Sequence, residues 1–174
     1  MMKLQPYAAP DSPSDETTRP YCTFRLGQSL FGVDLHDVKE VNGVPHVTPI
    51  PHGAASVRGY VNLRGQIHLI LDAKLLLGLG SSPLDPETRL ILFKSNLGDP
   101  FGILVDRLGD IVRLRLDQVE ATDSRSSRSE LVAGVGKLAG ELLIVLDAHK
   151  LLPSVERSAA DREASNPSRS SNLL

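Results

Sequence analysis

Residues 57–72 read VRGYVNLRGQIHLILD, and the pattern of this stretch occurs twice in the chain. Gly59, Leu63 with Gly65, Ile70 to Asp72 and the following Leu76-Leu77 reappear as Gly134, Leu138 with Gly140, Val145 to Asp147 and Leu151-Leu152, at a constant shift of 75 positions. Upstream, Phe31-Gly32-Val33 with Leu35, Val38 and Val41 recurs as Phe101-Gly102-Ile103 with Val105, Leu108 and Ile111, shifted by 70. One loop of different length accounts for the two shifts, so the chain carries two copies of one supersecondary unit.

Each copy consists of short runs rich in Val, Leu and Ile, bounded by Gly, Pro, Asn or Asp, which is the pattern of strands. The runs predict strands over 21–26, 30–35, 61–63, 66–71, 89–94, 100–105, 111–116, 131–135 and 141–146, with hairpins turning at Gly27-Gln28 and Arg64-Gly65. Short helices are expected at 53–57, 73–77 and 148–152. About five strands per copy are too many for an open ribbon and suit a small closed barrel, which hides its edges. The fold class is therefore all-β, with two similar barrels packed side by side and a few short helices. The first barrel is expected over about residues 20–84 and the second over about 85–153, with strand exchange between them left open. Gly65 and Gly140 fall at hairpin tips that need a positive φ, and Gly32 and Gly102 fall inside strands where a bend or bulge is expected.

The stretch 81–87 reads as the joint between halves, and the Arg- and Ser-rich stretch 122–130 as an exposed loop. Residues 1–19 and 154–174 hold too little apolar surface to recover their ordering entropy and read as disordered tails.

Composition excludes several functions. Lys plus Arg number 19 against 21 Asp plus Glu, a net charge of -2, which provides no broad cationic field for nucleic acid or anionic lipid. Cys22 is the single cysteine, so no internal disulfide or Cys-based zinc site can form. The N-terminus lacks a signal-peptide apolar region and no run approaches the roughly 18 apolar residues that span a bilayer, so a cytoplasmic protein without membrane insertion is expected. The histidines, His36, His46, His52, His68 and His149, show no metal-ligand spacing, and no nucleophile elbow or phosphate loop is present. No catalytic residue, cofactor site or metal site is therefore expected. Asp72 and Asp147, one per copy, invite comparison with an aspartic-protease pair, but the residues that follow are Ala73-Lys74 and Ala148-His149 rather than a small hydroxyl residue and glycine. Asp before Ala-x-Leu-Leu is instead a helix N-cap.

The copies differ at one hairpin tip. Asn62-Leu63-Arg64-Gly65 in the first corresponds to Lys137-Leu138-Ala139-Gly140 in the second, a guanidinium in place of a methyl group. Folding needs only the shared pattern, which makes Arg64 the leading candidate for a residue kept for binding.

The order Leu26-Gly27, Phe31-Gly32-Val33-Asp34, Val38-Lys39-Glu40-Val41, Thr48-Pro49-Ile50-Pro51, Val57-Arg58-Gly59, Asn62-Leu63-Arg64-Gly65-Gln66-Ile67, Asp72, Gly102 to Asp106 and Ile144 to Asp147 resembles the CheW-like family of bacterial chemotaxis coupling proteins, over about residues 20–153. The resemblance implies a pair of five-stranded SH3-like barrels and a non-enzymatic adaptor. Such an adaptor bridges the cytoplasmic tips of methyl-accepting chemoreceptors to the regulatory domain of a histidine kinase, recruited to membrane-associated arrays. By position it implies receptor contacts at Val38, Gly59, Asn62, Arg64, Leu108 and Ile111, kinase contacts at Leu35 and Glu40, and an ion pair between Glu40 and Arg64. The chain departs from many relatives at Leu69, where they have Pro, at Asp72-Ala73-Lys74, where they have Asp-Leu-Arg, and in its longer tails. The alternative to an adaptor is a sensor that takes a small molecule or peptide in the groove between the barrels.

Overall fold

The computed structural model describes residues 17–81, 83–122 and 129–165. Two β-sheets dominate it. The first contains β1 (Thr18–Leu26), β2 (Ser29–Asp34), β8 (Arg107–Arg115), β9 (Val119–Glu120), β10 (Val132–Lys137) and β11 (Leu142–Leu146), in the order β8-β1-β2-β11-β10-β9. The second contains β3 (Val38–Gly43), β4 (Val57–Leu63), β5 (Gln66–Asp72), β6 (Arg89–Phe93) and β7 (Phe101–Val105), in the order β3-β6-β7-β5-β4. Helix α1 (Ala73–Leu76) follows β5 and helix α2 (Ala148–Ala164) follows β11.

The two orders are the same once the sequence repeat is applied, because β8, β1, β2, β11 and β10 correspond to β3, β6, β7, β5 and β4. Even the single parallel pairing recurs, as β2 with β11 and as β7 with β5. Counting these five matched strands, each barrel takes two from one sequence copy and three from the other. Strand exchange, left open by the sequence, thus sets the barrels: one is formed by the continuous stretch 38–105, inserted between the two parts of the other, 18–34 and 107–146. The chain crosses at the 3-10 turn Leu35–Asp37 and returns at Asp106. The six-stranded first sheet exceeds the expected five by the two-residue β9.

Strand burial follows from this exchange. Alternate residues of the central strands enter different cores: Leu90 and Leu92 of β6 point into their own barrel with Val61, Ile70 and Leu104, whereas Ile91 and Phe93 point into the space between barrels. Tyr21 of β1 likewise joins Leu30, Leu114, Leu143 and Val145, while Cys22 and Phe24 face the space between. That inter-barrel core is the largest of the three and collects residues from both sheets and from Ala148, Leu151, Leu152 and Val155 of α2. Central strands buried on both faces read as unbroken apolar runs, which is why they were visible in the sequence.

Other expectations are corrected. The bulges lie between Val38 and Glu40, Val57 and Gly59, and Val132 and Gly134, and where Cys22-to-Phe24 meets β8, not at Gly32 or Gly102. Those two glycines leave room instead: a Cβ on Gly102 would lie 2.7 Å from the Ile91 carbonyl oxygen, and one on Gly32 would lie 3.1 Å from Leu143 Cδ1. Residues 53–56 form turns rather than a helix. Strand β3 was not foreseen. Thr18 and Arg19 belong to β1, and α2 continues past Pro153 to Ala164 where a tail was expected. Pro153 forfeits one helical hydrogen bond, but buried Leu152 and Val155 hold the helix against the core. The remaining parts of the expected tails, residues 1–16 and 166–174, and residues 82 and 123–128 of the expected joint and loop lie outside the described residues.

Candidate functional site

The tip of the β4–β5 hairpin holds the first group of candidates. Arg64 and Gly65 adopt φ of 52° and 83°, the two successive positive values of a type I′ turn, which matches the twist of the flanking strands. Asn62 Oδ1 accepts a hydrogen bond from the Gly65 N–H at 3.0 Å and so shapes the turn. The Arg64 side chain, 76% exposed, donates from Nη1 to Glu40 Oε2 at 2.9 Å and to Oε1 at 3.2 Å. Lys39 Nζ reaches Gln66 Oε1 at 3.1 Å beside it. Glu40 and Lys39 lie on β3, at the opposite end of the strand order from β4, so these two contacts tie the sheet into a barrel. The Arg64 guanidinium holds the Glu40 carboxyl below the usual carboxylate range. In the other barrel the corresponding positions are Ala139 and Asp110, which cannot pair, and Ala139 does not share the positive φ of Arg64.

Gly59 has a different role from the one implied by position. It is buried, with φ 141°, and a Cβ there would lie 2.0 Å from the Thr48 carbonyl oxygen. Thr48 and Tyr60 exchange two backbone hydrogen bonds of 2.8 Å, so the chain before β4 runs tight against it and only glycine fits beneath. Gly134 repeats the arrangement, its missing Cβ facing the Glu120 carbonyl oxygen at 2.7 Å. Gly59 therefore shapes the hairpin from a buried position.

The second group borders the inter-barrel core. Leu35 and Val38 are half-buried and pack on that core from the crossover and the start of β3. Leu108 and Ile111 pair in register with Phe24 and Cys22, both members of the same core, but sit on the end strand of their sheet and are 44% and 58% exposed. By the repeat, Leu108 corresponds to Val38 and Ile111 to Val41, so one pair of apolar positions is covered in one barrel and open in the other.

A polar joint holds the barrels together. Asp106 at the return crossover accepts hydrogen bonds on Oδ2 from the Gly27 N–H at 2.7 Å and pairs with Lys74 Nζ at 3.3 Å. Lys74 thus makes a point contact to a carboxylate. Asp72 caps α1, accepting from the Leu75 N–H at 3.1 Å on Oδ1, and its other oxygen takes Arg58 Nε and Nη2, each at 3.0 Å. Asp147 accepts from the His149 N–H at 3.0 Å at the start of α2. The two repeated aspartates are helix caps, in agreement with the sequence. Among the described residues, no group of three or more His, Cys, Asp or Glu side chains is placed to hold a metal ion, and no helix is long and apolar enough to cross a membrane.

Sequence reasoning missed the outer face of β4–β5. Tyr60 and Leu69 face each other in register, as do Asn62 and Ile67, and Tyr60 and Ile67 are 45% and 54% exposed. The sequence reading assigned a strand over 66–71 without separating its two faces.

The geometry matches known proteins. The CheW-like domain family model matches residues 20–156. The chain is 30% identical over 147 residues to the chemotaxis protein CheW of Klebsiella aerogenes, covering 83% of this chain and 87% of that protein. The crystal structure of the scaffolding protein TtCheW from Thermoanaerobacter tengcongensis superposes with a TM-score of 0.70 at 27% identity, over 76% of this chain and 91% of that one. The shared architecture is the SH3-like two-barrel fold. With its repeat, its reciprocal strand exchange and its Arg64-bearing tip in place, the chain belongs to the CheW-like family.

Proposed function

We propose that this protein is a non-catalytic adaptor that couples chemoreceptors to a histidine kinase in a cytoplasmic chemosensory array. The observation that carries this is an exposed apolar rim at Leu108 and Ile111 together with a charged hairpin tip where Arg64 pairs with Glu40. Val38, Asn62, Arg64, Leu108 and Ile111 are assigned to the receptor's cytoplasmic tip, and Leu35 and Glu40 to the kinase regulatory domain. Membership of a family whose relatives are named chemotaxis and scaffolding proteins supports the same assignment. An exposed rim of this kind suits a weak, reversible contact, and an array of many copies raises the effective affinity without new contacts.

Titration calorimetry with the purified kinase regulatory domain and, separately, a soluble receptor-tip fragment tests the assignment. Leu108→Glu is expected to abolish receptor binding and spare the kinase domain, whereas Glu40→Lys, which also repels the Arg64 it pairs with, is expected to weaken both. Arg64→Ala is expected to weaken receptor binding about tenfold, the scale of an interface arginine, with little loss of stability because its ion pair is exposed. Wild-type affinity for neither partner, or variants that lose both together with their fold, would overturn it.

A further inference from the structure

We infer that the groove between α2 and the outer face of β4–β5 is a separate docking surface, one that takes an apolar segment of a partner protein carrying lysine or arginine. The groove has a volume of about 400 Å³. Tyr60, Ile67 and Leu69 form its floor, and Leu152, Val155 and Ala159 of α2 form one wall. Two charged side chains line it, Asp99 from the turn before β7 and Glu156 from α2, and both are acidic and exposed. Neither makes an ion pair or hydrogen bond among the described residues. That separates them from Glu40, Glu87, Asp117, Glu120, Glu130 and Glu141, each of which is paired with a lysine or arginine. Two uncompensated carboxylates beside an apolar trough attract a cation and reject an anion, which gives the groove a sign as well as a shape. None of the residues that line the groove belongs to the adaptor assignment, and the inference does not rest on that assignment. Ala159, at the far end of this wall, lies beyond residue 156, where the family match ends.

The probe is a pair of synthetic amphipathic helices with identical leucine faces, one flanked by lysines and the other by glutamates. Each is titrated into the full chain with methyl-labelled Ile, Leu and Val, followed by NMR. The lysine peptide is expected to shift the methyls of Ile67, Leu69, Leu152 and Val155 and to bind at least about tenfold more tightly than the glutamate peptide, with an affinity that falls as salt is raised. The double variant Asp99→Lys with Glu156→Lys is expected to invert the preference. Should that variant lose its fold, the salt dependence of the wild type still decides. Equal binding of both peptides, shifts confined to the rim at Leu108 and Ile111, or groove shifts that depend on dilution without peptide and so reveal a second copy as the occupant, would each overturn the inference.

Discussion

Replacing Gly59 by alanine tests the glycine with the least room for a Cβ among the described residues. At φ 141° an L-residue is strained, which costs about 1–3 kcal/mol. The new methyl would also lie 2.0 Å from the Thr48 carbonyl oxygen, a distance that no side-chain rotation can relieve because both groups are backbone. The segment before β4 must then move away and give up the two 2.8 Å hydrogen bonds between Thr48 and Tyr60. At about 1 kcal/mol each, these bring the expected loss to about 3–5 kcal/mol. For a domain of this size that is a fall of roughly 6–20 °C in melting temperature. Urea unfolding followed by far-UV circular dichroism measures it without the need for a tryptophan, which the chain lacks. Gly134→Ala is the internal comparison: its Cβ would lie 2.7 Å from the Glu120 carbonyl oxygen, but without a positive φ, so a smaller loss is expected. A change below about 1 kcal/mol at Gly59, or a larger one at Gly134, would refute the close-approach account.

Three further outcomes are expected. Asp72→Ala removes the α1 cap and leaves the Arg58 head group without its buried carboxylate, and should cost about 3 kcal/mol by urea unfolding, whereas Asp147→Ala, a cap whose only charged partner is the half-exposed Lys150, should cost about 1 kcal/mol. Deleting the chain from residue 154 onward removes buried Val155 from the inter-barrel core and should cost about 2 kcal/mol, while deleting from residue 157 onward should cost far less; equal effects would mean that the helix does not pack as described. Burial, then the nearby carboxylates of Asp34 and Asp147, push the Asp37 carboxyl above its ordinary value against the opposing influence of His149. Its folded form then holds a proton more tightly than its unfolded form, so its charge is a cost at neutral pH that disappears as pH falls below the unfolded value near 4. Asp37→Asn should therefore raise the melting temperature at pH 7 and lose that advantage in acid, and an equal effect at both pH values would sink the argument.

Much of this fold is written in local sequence. The doubled pattern identified the repeat, and the central strands stood out because both their faces are buried, one in a barrel and one between barrels. Strand β3 did not stand out: Lys39, Glu40 and Asn42 lie on a strand at the end of its sheet, where one side meets solvent and no apolar run is needed. The partner of each strand was also beyond reach, since nothing local distinguishes β2 pairing with β5 from β2 pairing with β11 when the two candidates are copies of one another. Helix α2 was cut short at Pro153 because the burial of Val155, which outweighs one lost hydrogen bond, is a tertiary fact. At the candidate site the ion pair of Glu40 and Arg64 was legible through family position. The buried role of Gly59 was not, because it depends on where the chain before β4 returns.

The exchange of strands also bears on how such a body could couple two partners. Two barrels joined only by a linker would share a small polar interface and move relative to each other by default. Here β3 to β5 cannot separate from β6 and β7 without dismantling a sheet that both sequence copies build, and the largest core lies between the barrels rather than within either. Leu35 and Val38 rest on that core from one barrel, and Leu108 and Ile111 continue it to the surface from the other. A helix seated against the exposed pair would therefore press on side chains in packing contact with the start of β3, whose next residues hold Glu40 and, through it, Arg64.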